Sequence, residues 1–100
     1  LTNEVTMTTS YIGSKTAAEN GDEFTLSTGS SRAFFVFPSF GGGEHLLLQI
    51  KNSGGSSFSD VGILAENGQN TGVVTARGAS DSIFRVVKSE TSTAIQVFFD

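Results

Sequence analysis

Cysteine and tryptophan are absent from this 100-residue chain, proline and histidine occur once each, and only 16 % of its residues are charged. Each shortage removes a class of answer. Without cysteine there are no disulfides and no thiolate metal sites, so a small secreted domain held by bridges is excluded and a reducing compartment is favoured. Six Lys and Arg against ten Asp and Glu leave a formal charge of −4. The few cations are scattered along the chain. No nucleic-acid partner is therefore expected, and an anionic membrane is disfavoured on the same ground. The longest apolar run is a few residues, far short of the ~20 that cross a bilayer, and no basic-then-apolar leader opens the chain. Because the first residue is Leu rather than Met, a processed product or a piece of something longer is expected.

What the chain does have is phenylalanine, nine of its ten aromatics, set among glycine, serine and threonine. That mixture predicts strands joined by tight turns. The densest stretch is Arg32-Ala33-Phe34-Phe35-Val36-Phe37. At the two-residue period of a strand, Ala33, Phe35 and Phe37 point one way and Arg32, Phe34 and Val36 the other, and both faces are apolar past the arginine. Such a strand needs cover on both sides.

The rest of the chain supplies the other strands. Glu4 to Ile12 alternates Val5, Met7 and Tyr11 against Glu4, Thr6, Thr8 and Ser10, an amphipathic edge strand. Residues 13–21 are polar and small, with room for one helical turn at Thr16-Ala17-Ala18-Glu19 before the Asn20-Gly21 turn. Phe24, Leu26 and Thr28 predict a second strand, turned by Gly29-Ser30-Ser31 into the central one as a hairpin. Pro38 ends the central strand because it has no amide proton for the ladder, and Gly41-Gly42-Gly43 predicts a mobile loop with Phe40 at its tip. Strands follow over His45 to Lys51, Phe58 to Ala65, Thr71 to Arg77, Ser82 to Lys88 and Thr93 to Phe99. Asn67-Gly68 predicts a hairpin between the second and third of these. About eight short strands at this spacing predict an all-β fold, an antiparallel β-sandwich of jelly-roll or Greek-key order. It should form one domain, 1–100, with residues 1–20 as an N-terminal strand and polar arm and 21–100 as the main body. A chain of this length buries about 65 % of its unfolded surface and needs no cofactor to fold.

No constellation in the sequence identifies a reaction. His45 follows Glu44 directly, and neighbours in a strand point to opposite faces, so they do not form a base and its orienting acid. There is no Gly-x-Ser-x-Gly elbow and no second imidazole. Asp22, Glu23, Asp60, Glu66, Asp81 and Glu90 fall in turns or at strand ends, where acids are ordinarily solvated. Neither Asn20, Asp22 and Glu23 nor Glu66, Asn67 and Asn70 has the spacing of a calcium loop. No catalytic residue, metal ligand or cofactor is expected.

Surplus apolar surface is the positive signal. If Phe35, Phe37, Leu46, Leu48, Ile50, Val61, Ile63, Phe84, Val86, Ile95, Val97 and Phe99 make the core, alternation sends Phe34, Val36, Leu47 and Phe98 to the opposite faces. Loops could fold over them, or they could meet another protein. Phe40 would anchor such a contact or else close its own core. Phe34, Val36, Phe40, Leu47 and Phe98 are thus the candidate partner interface.

Three further stretches carry a resemblance: Gly21-Asp22-Glu23-Phe24-Thr25-Leu26, Gln49-Ile50-Lys51-Asn52, and Ser80-Asp81-Ser82-Ile83-Phe84-Arg85. From Asn20 onward, in their layout, the chain resembles the small β-sandwich proteins that decorate or reinforce the heads of tailed bacteriophages. It departs from them in the loop from Phe40 to Gly43. The resemblance implies a non-enzymatic structural protein of the virion, placed on the capsid surface, bound to a shell lattice and often homo-oligomeric. It implies no catalytic residues. The alternative is a carbohydrate-binding or adhesive module of a tail-associated or extracellular protein. Sugar platforms stack rings on exposed Trp or Tyr, and here Tyr11 stands alone.

Overall fold

The structure, a computed structural model, describes residues 9–52, 54–76 and 82–100. The expected beginning of the first strand, with Val5 and Met7, lies outside the described residues, as do Arg77, the Gly78-Ala79-Ser80 turn and Asp81. Among the described residues there are eight strands and no helix: β1 Thr9–Lys15, β2 Glu19–Asn20, β3 Ser31–Phe37, β4 His45–Asn52, β5 Ser59–Glu66, β6 Thr71–Thr75, β7 Ser82–Lys88 and β8 Ile95–Phe99.

They form two antiparallel four-stranded sheets, ordered β1-β8-β3-β6 and β2-β7-β4-β5. In this order β1 neighbours β8, β2 neighbours β7, β3 neighbours β6 and β4 neighbours β5. The chain is therefore one long hairpin, folded at the β4–β5 connection and rolled so that successive pairs fall in alternate sheets. That is the jelly-roll order, and it makes the molecule the β-sandwich that the strand spacing predicts.

Rolling explains where the local turn signals mislead. At Asn67-Gly68 the turn forms, with Gly68 at φ 89° and the Gln69 amide donating to Glu66 O at 2.7 Å. Yet β5 and β6 belong to different sheets, so the turn carries the chain around a corner instead of extending a ladder. The expected hairpin from Phe24 into β3 is also absent. Phe24 makes one bridge to Phe84, exchanging bonds of 2.8 Å with it in the second sheet, while β3 lies in the first. The regular pairing of that segment comes earlier, at β2, where Glu19 and Asn20 face Lys88 and Val87.

The core lies between the sheets. β7 alternates without a break, turning Ser82, Phe84, Val86 and Lys88 inward. Leu46, Ile95 and Val97 are buried as their periodicity requires, and Leu48, Ile50 and Phe99 pack against them half-buried.

In β3 the expected parity is reversed: Phe34 and Val36 are fully buried, and Phe37 is 56 % exposed. A strand apolar on both faces carries no parity signal except its arginine, and Arg32 does not face water. Its guanidinium lies over the rings of Phe24 and Phe99, 4.7 and 4.3 Å from their centroids.

The parity of β5 also differs from the alternation, with Val61 and Ile63 57 and 54 % exposed. Two irregularities in its pairing with β4 set Leu46 opposite Ala65, Leu47 opposite Ile63 and Leu48 opposite Gly62. An extra residue at each bulge shifts the phase, which period-two counting does not register. Ala65 consequently fills the core position, and Leu64 packs against it.

Phe40, expected at a loop tip, is 4 % exposed and belongs to the core. Its loop is tied down by Glu44. The carboxylate accepts from the Gly41 amide at 2.7 Å and from the Ser92 amide at 2.9 Å.

Candidate protein interface

The five residues picked out by alternation do not form one surface. Phe34, Val36 and Phe40 are core residues and offer nothing to a partner. Leu47 is half-buried on the outer face of the second sheet, opposite Val87 and Ile63, and Phe98 is half-buried on the outer face of the first. The two sheets put these last two on opposite sides of the molecule.

An apolar surface does exist, carried by Phe98 together with Phe35 and Phe37, which alternation assigned to the core. On the outer face of the first sheet, Phe35 stands opposite Phe98 of β8 and Thr71 of β6. Phe37 stands opposite Gln96, and Ala33 opposite Val73, itself 58 % exposed. The Phe37 and Phe98 rings meet edge to face, centroids 5.7 Å apart at 72°. Beside them lies an open depression of about 770 Å³ lined by Ser14, Phe35, Phe37, Pro38, Ala94, Gln96 and Phe98. Its polar members are few, and the Gln96 amide already donates to Ser10 Oγ at 3.1 Å.

A signal for this face was present in β8. Ile95 and Val97 are separated by Gln96, and a polar residue in an otherwise apolar strand marks the outer side, which Phe98 shares. Pairing β8 with β3 transfers that mark to Phe35 and Phe37. The pairing is not legible from either strand alone.

The second sheet presents a different outer surface. Gln49 joins Asp60 at 2.8 Å and accepts from Arg85 Nε at 2.7 Å, and Arg85 and Lys51 lie 4.0 and 5.0 Å from the centre of the Phe58 ring. Lys51 also pairs with Glu23 at 3.6 Å. Here apolar groups are interleaved with charge.

The ionisable groups inside the fold serve the fold. Lys88 is fully buried, and its ammonium donates to Ala17 O, Ser89 O and Thr91 Oγ1 at 3.0 to 3.1 Å. Desolvation pushes its pKa down, against the pull of Glu44. Burial raises that of Tyr11, whose hydroxyl donates to Asp22 O at 2.5 Å and accepts from the Val86 amide at 3.1 Å. His45 does not engage Glu44. Its Nδ1 lies 3.3 Å from Gly43 O, and the Glu44 carboxylate is held by Gly41 and Ser92. Among the described residues, no group of three His, Asp or Glu side chains could hold a metal ion.

What this arrangement can do is bind a complementary apolar surface, because the exposed Phe37 ring and the uncovered parts of Phe35 and Phe98 gain by leaving water. No family model matches the chain, and no curated protein and no solved structure does either.

Proposed function

We propose that this chain is a non-enzymatic structural protein, a capsid-decorating or reinforcing component of a virion, which binds its neighbours through the outer face of the β1-β8-β3-β6 sheet. The carrying observation is the aromatic surface formed by exposed Phe37 with half-buried Phe35 and Phe98 beside Pro38. A jelly roll by itself hosts viral shell proteins, lectins and enzymes alike, so the argument rests on the face and not on the roll. In a lattice of many copies, individually weak apolar contacts add up to firm attachment. The location on a capsid surface comes from the layout resemblance from Asn20 onward.

The test is to raise antibody against the chain and apply immunogold labelling and mass spectrometry to purified particles. A fixed stoichiometry to the shell protein, lowered by Phe98→Ser, is expected. Absence from particles would overturn the reading. So would micromolar binding on a glycan array, which would restore the sugar-binding alternative; its aromatic platform would be phenylalanine, with Gln96 and Ser14 the polar groups in the depression.

A further inference from the structure

We propose that Asn67 is a site of spontaneous backbone modification, converting to isoaspartate and aspartate through a cyclic imide formed with Gly68, and that the fold protects the identical pair Asn20-Gly21. Asparagine followed by glycine is open to this reaction because the following amide nitrogen is the nucleophile, and glycine has no side chain to hinder it. The chain contains the pair twice. Local sequence therefore predicts two sites, and the structure keeps one.

Both asparagines are exposed, so access of water does not separate them. The nucleophile does. The Gly21 amide donates to Val86 O at 2.9 Å, next to the β2 pairing of Glu19 and Asn20 with Lys88 and Val87. The Tyr11 ring lies against Gly21, and its hydroxyl bonds both Asp22 O and the Val86 amide. For the Gly21 nitrogen to turn towards the Asn20 side chain, this local structure must open as a unit. At Gly68 nothing comparable holds. Its turn is closed by the Gln69 amide donating to Glu66 O, a bond in which the peptide joining the two central residues takes no part. Among the described residues nothing accepts from the Gly68 amide. No atom beyond its chain neighbours lies within 4 Å of the place where a Gly68 side chain would begin, and residues 66–70 are all exposed.

In the reaction a solvent base takes the proton of the Gly68 amide and its nitrogen bonds to Asn67 Cγ. The Cγ–Nδ2 bond breaks, and the leaving nitrogen takes a proton from water and departs as ammonia. Water then opens the imide. Attack at Cγ leaves aspartate; attack at the backbone carbonyl carbon of Asn67 leaves isoaspartate, with the main chain running through Cβ and Cγ. Either product adds a negative charge beside Glu66 to a chain already at −4. The lengthened backbone falls at the corner that carries the chain from β5 in one sheet to β6 in the other.

Ageing the full chain in mildly alkaline buffer, followed by tryptic mapping and enzymatic methylation of isoaspartate, tests this. The two pairs fall in separate peptides, 16–32 and 52–77, and fragment spectra distinguish Asn67 from Asn52 and Asn70. In the folded chain Asn67 should convert at least about tenfold faster than Asn20, whereas in guanidinium the two rates should come within about threefold, because the unfolded chain keeps neither environment. Equal rates in the folded chain would overturn the proposal, as would a preference that persists undiminished in guanidinium. So would an Asn67 that stays intact in the folded chain while the unfolded chain is converted.

Discussion

Glu44 holds Ser92 across 48 residues of sequence: Oε2 accepts from the Ser92 amide at 2.9 Å and from its hydroxyl at 3.3 Å. Through Oε1 the same carboxylate accepts the Gly41 amide at 2.7 Å, so one side chain joins the loop carrying Phe40 to the connection before β8. These bonds, the Gly41 amide first, hold the Glu44 carboxyl below its ordinary 4.5. A depressed folded-state pKa stabilises the protein fully above 4.5 and loses its effect as pH falls through the folded value. Thermal melts should therefore show Glu44→Gln less stable than the unsubstituted chain at neutral pH, with the gap closing in acid. A gap independent of pH would contradict this role.

Lys88 titrates in the opposite direction. Desolvation lowers its pKa from 10.5, so between the folded value and 10.5 the unfolded chain binds more protons and stability rises with pH. Lys88→Ala should lose that rise. It should also lose about 2–4 kcal/mol at neutral pH, since it opens a cavity and leaves three acceptors without their donor. Urea unfolding at neutral and alkaline pH measures both.

Gly21 is required by Tyr11. A Cβ at Gly21 would fall on the tyrosine ring, which is held by its hydroxyl bonds and by edge contacts with Phe24, Phe34 and Phe99. Gly21→Ala should cost about 1–3 kcal/mol through this overlap. In a Tyr11→Ala background most of that cost should vanish, and a double-mutant cycle with no coupling between the two would refute the packing.

The orientation of β3 makes a fourth prediction. Phe34→Ala should cost about 3–5 kcal/mol as a core truncation, whereas Phe37→Ala, at an exposed position, should stay within about 1 kcal/mol. Denaturant unfolding of the two variants separates them. The reverse ranking would mean that the strand faces the other way.

Most strand positions were readable from local chemistry, but β2 at Glu19–Asn20 and the lack of a strand after Phe24 were not. The β7 alternation, the end of β3 at Pro38 and the Asn67-Gly68 turn each depend on neighbours a few residues away. The candidate interface was half legible: Phe98 was found, but Phe35 and Phe37 were assigned to the core. Nothing within a strand apolar on both sides says which side meets its own protein, and Arg32 found an aromatic resting place instead of water.

Composition and period-two patterning by themselves determined that this is an all-β protein of short strands with more apolar faces than polar ones to cover them, because pleat and turn chemistry act over a few residues. Only the tertiary structure decided which strands pair, where β1 and β5 bulge, and which phenylalanines remain uncovered. Those outcomes come from the rolling of a long hairpin into two layers, and rolling matches residues as far apart as Ser10 and Phe98. At such separations the energy of a position depends on what is brought beside it and no longer on what precedes it in the chain.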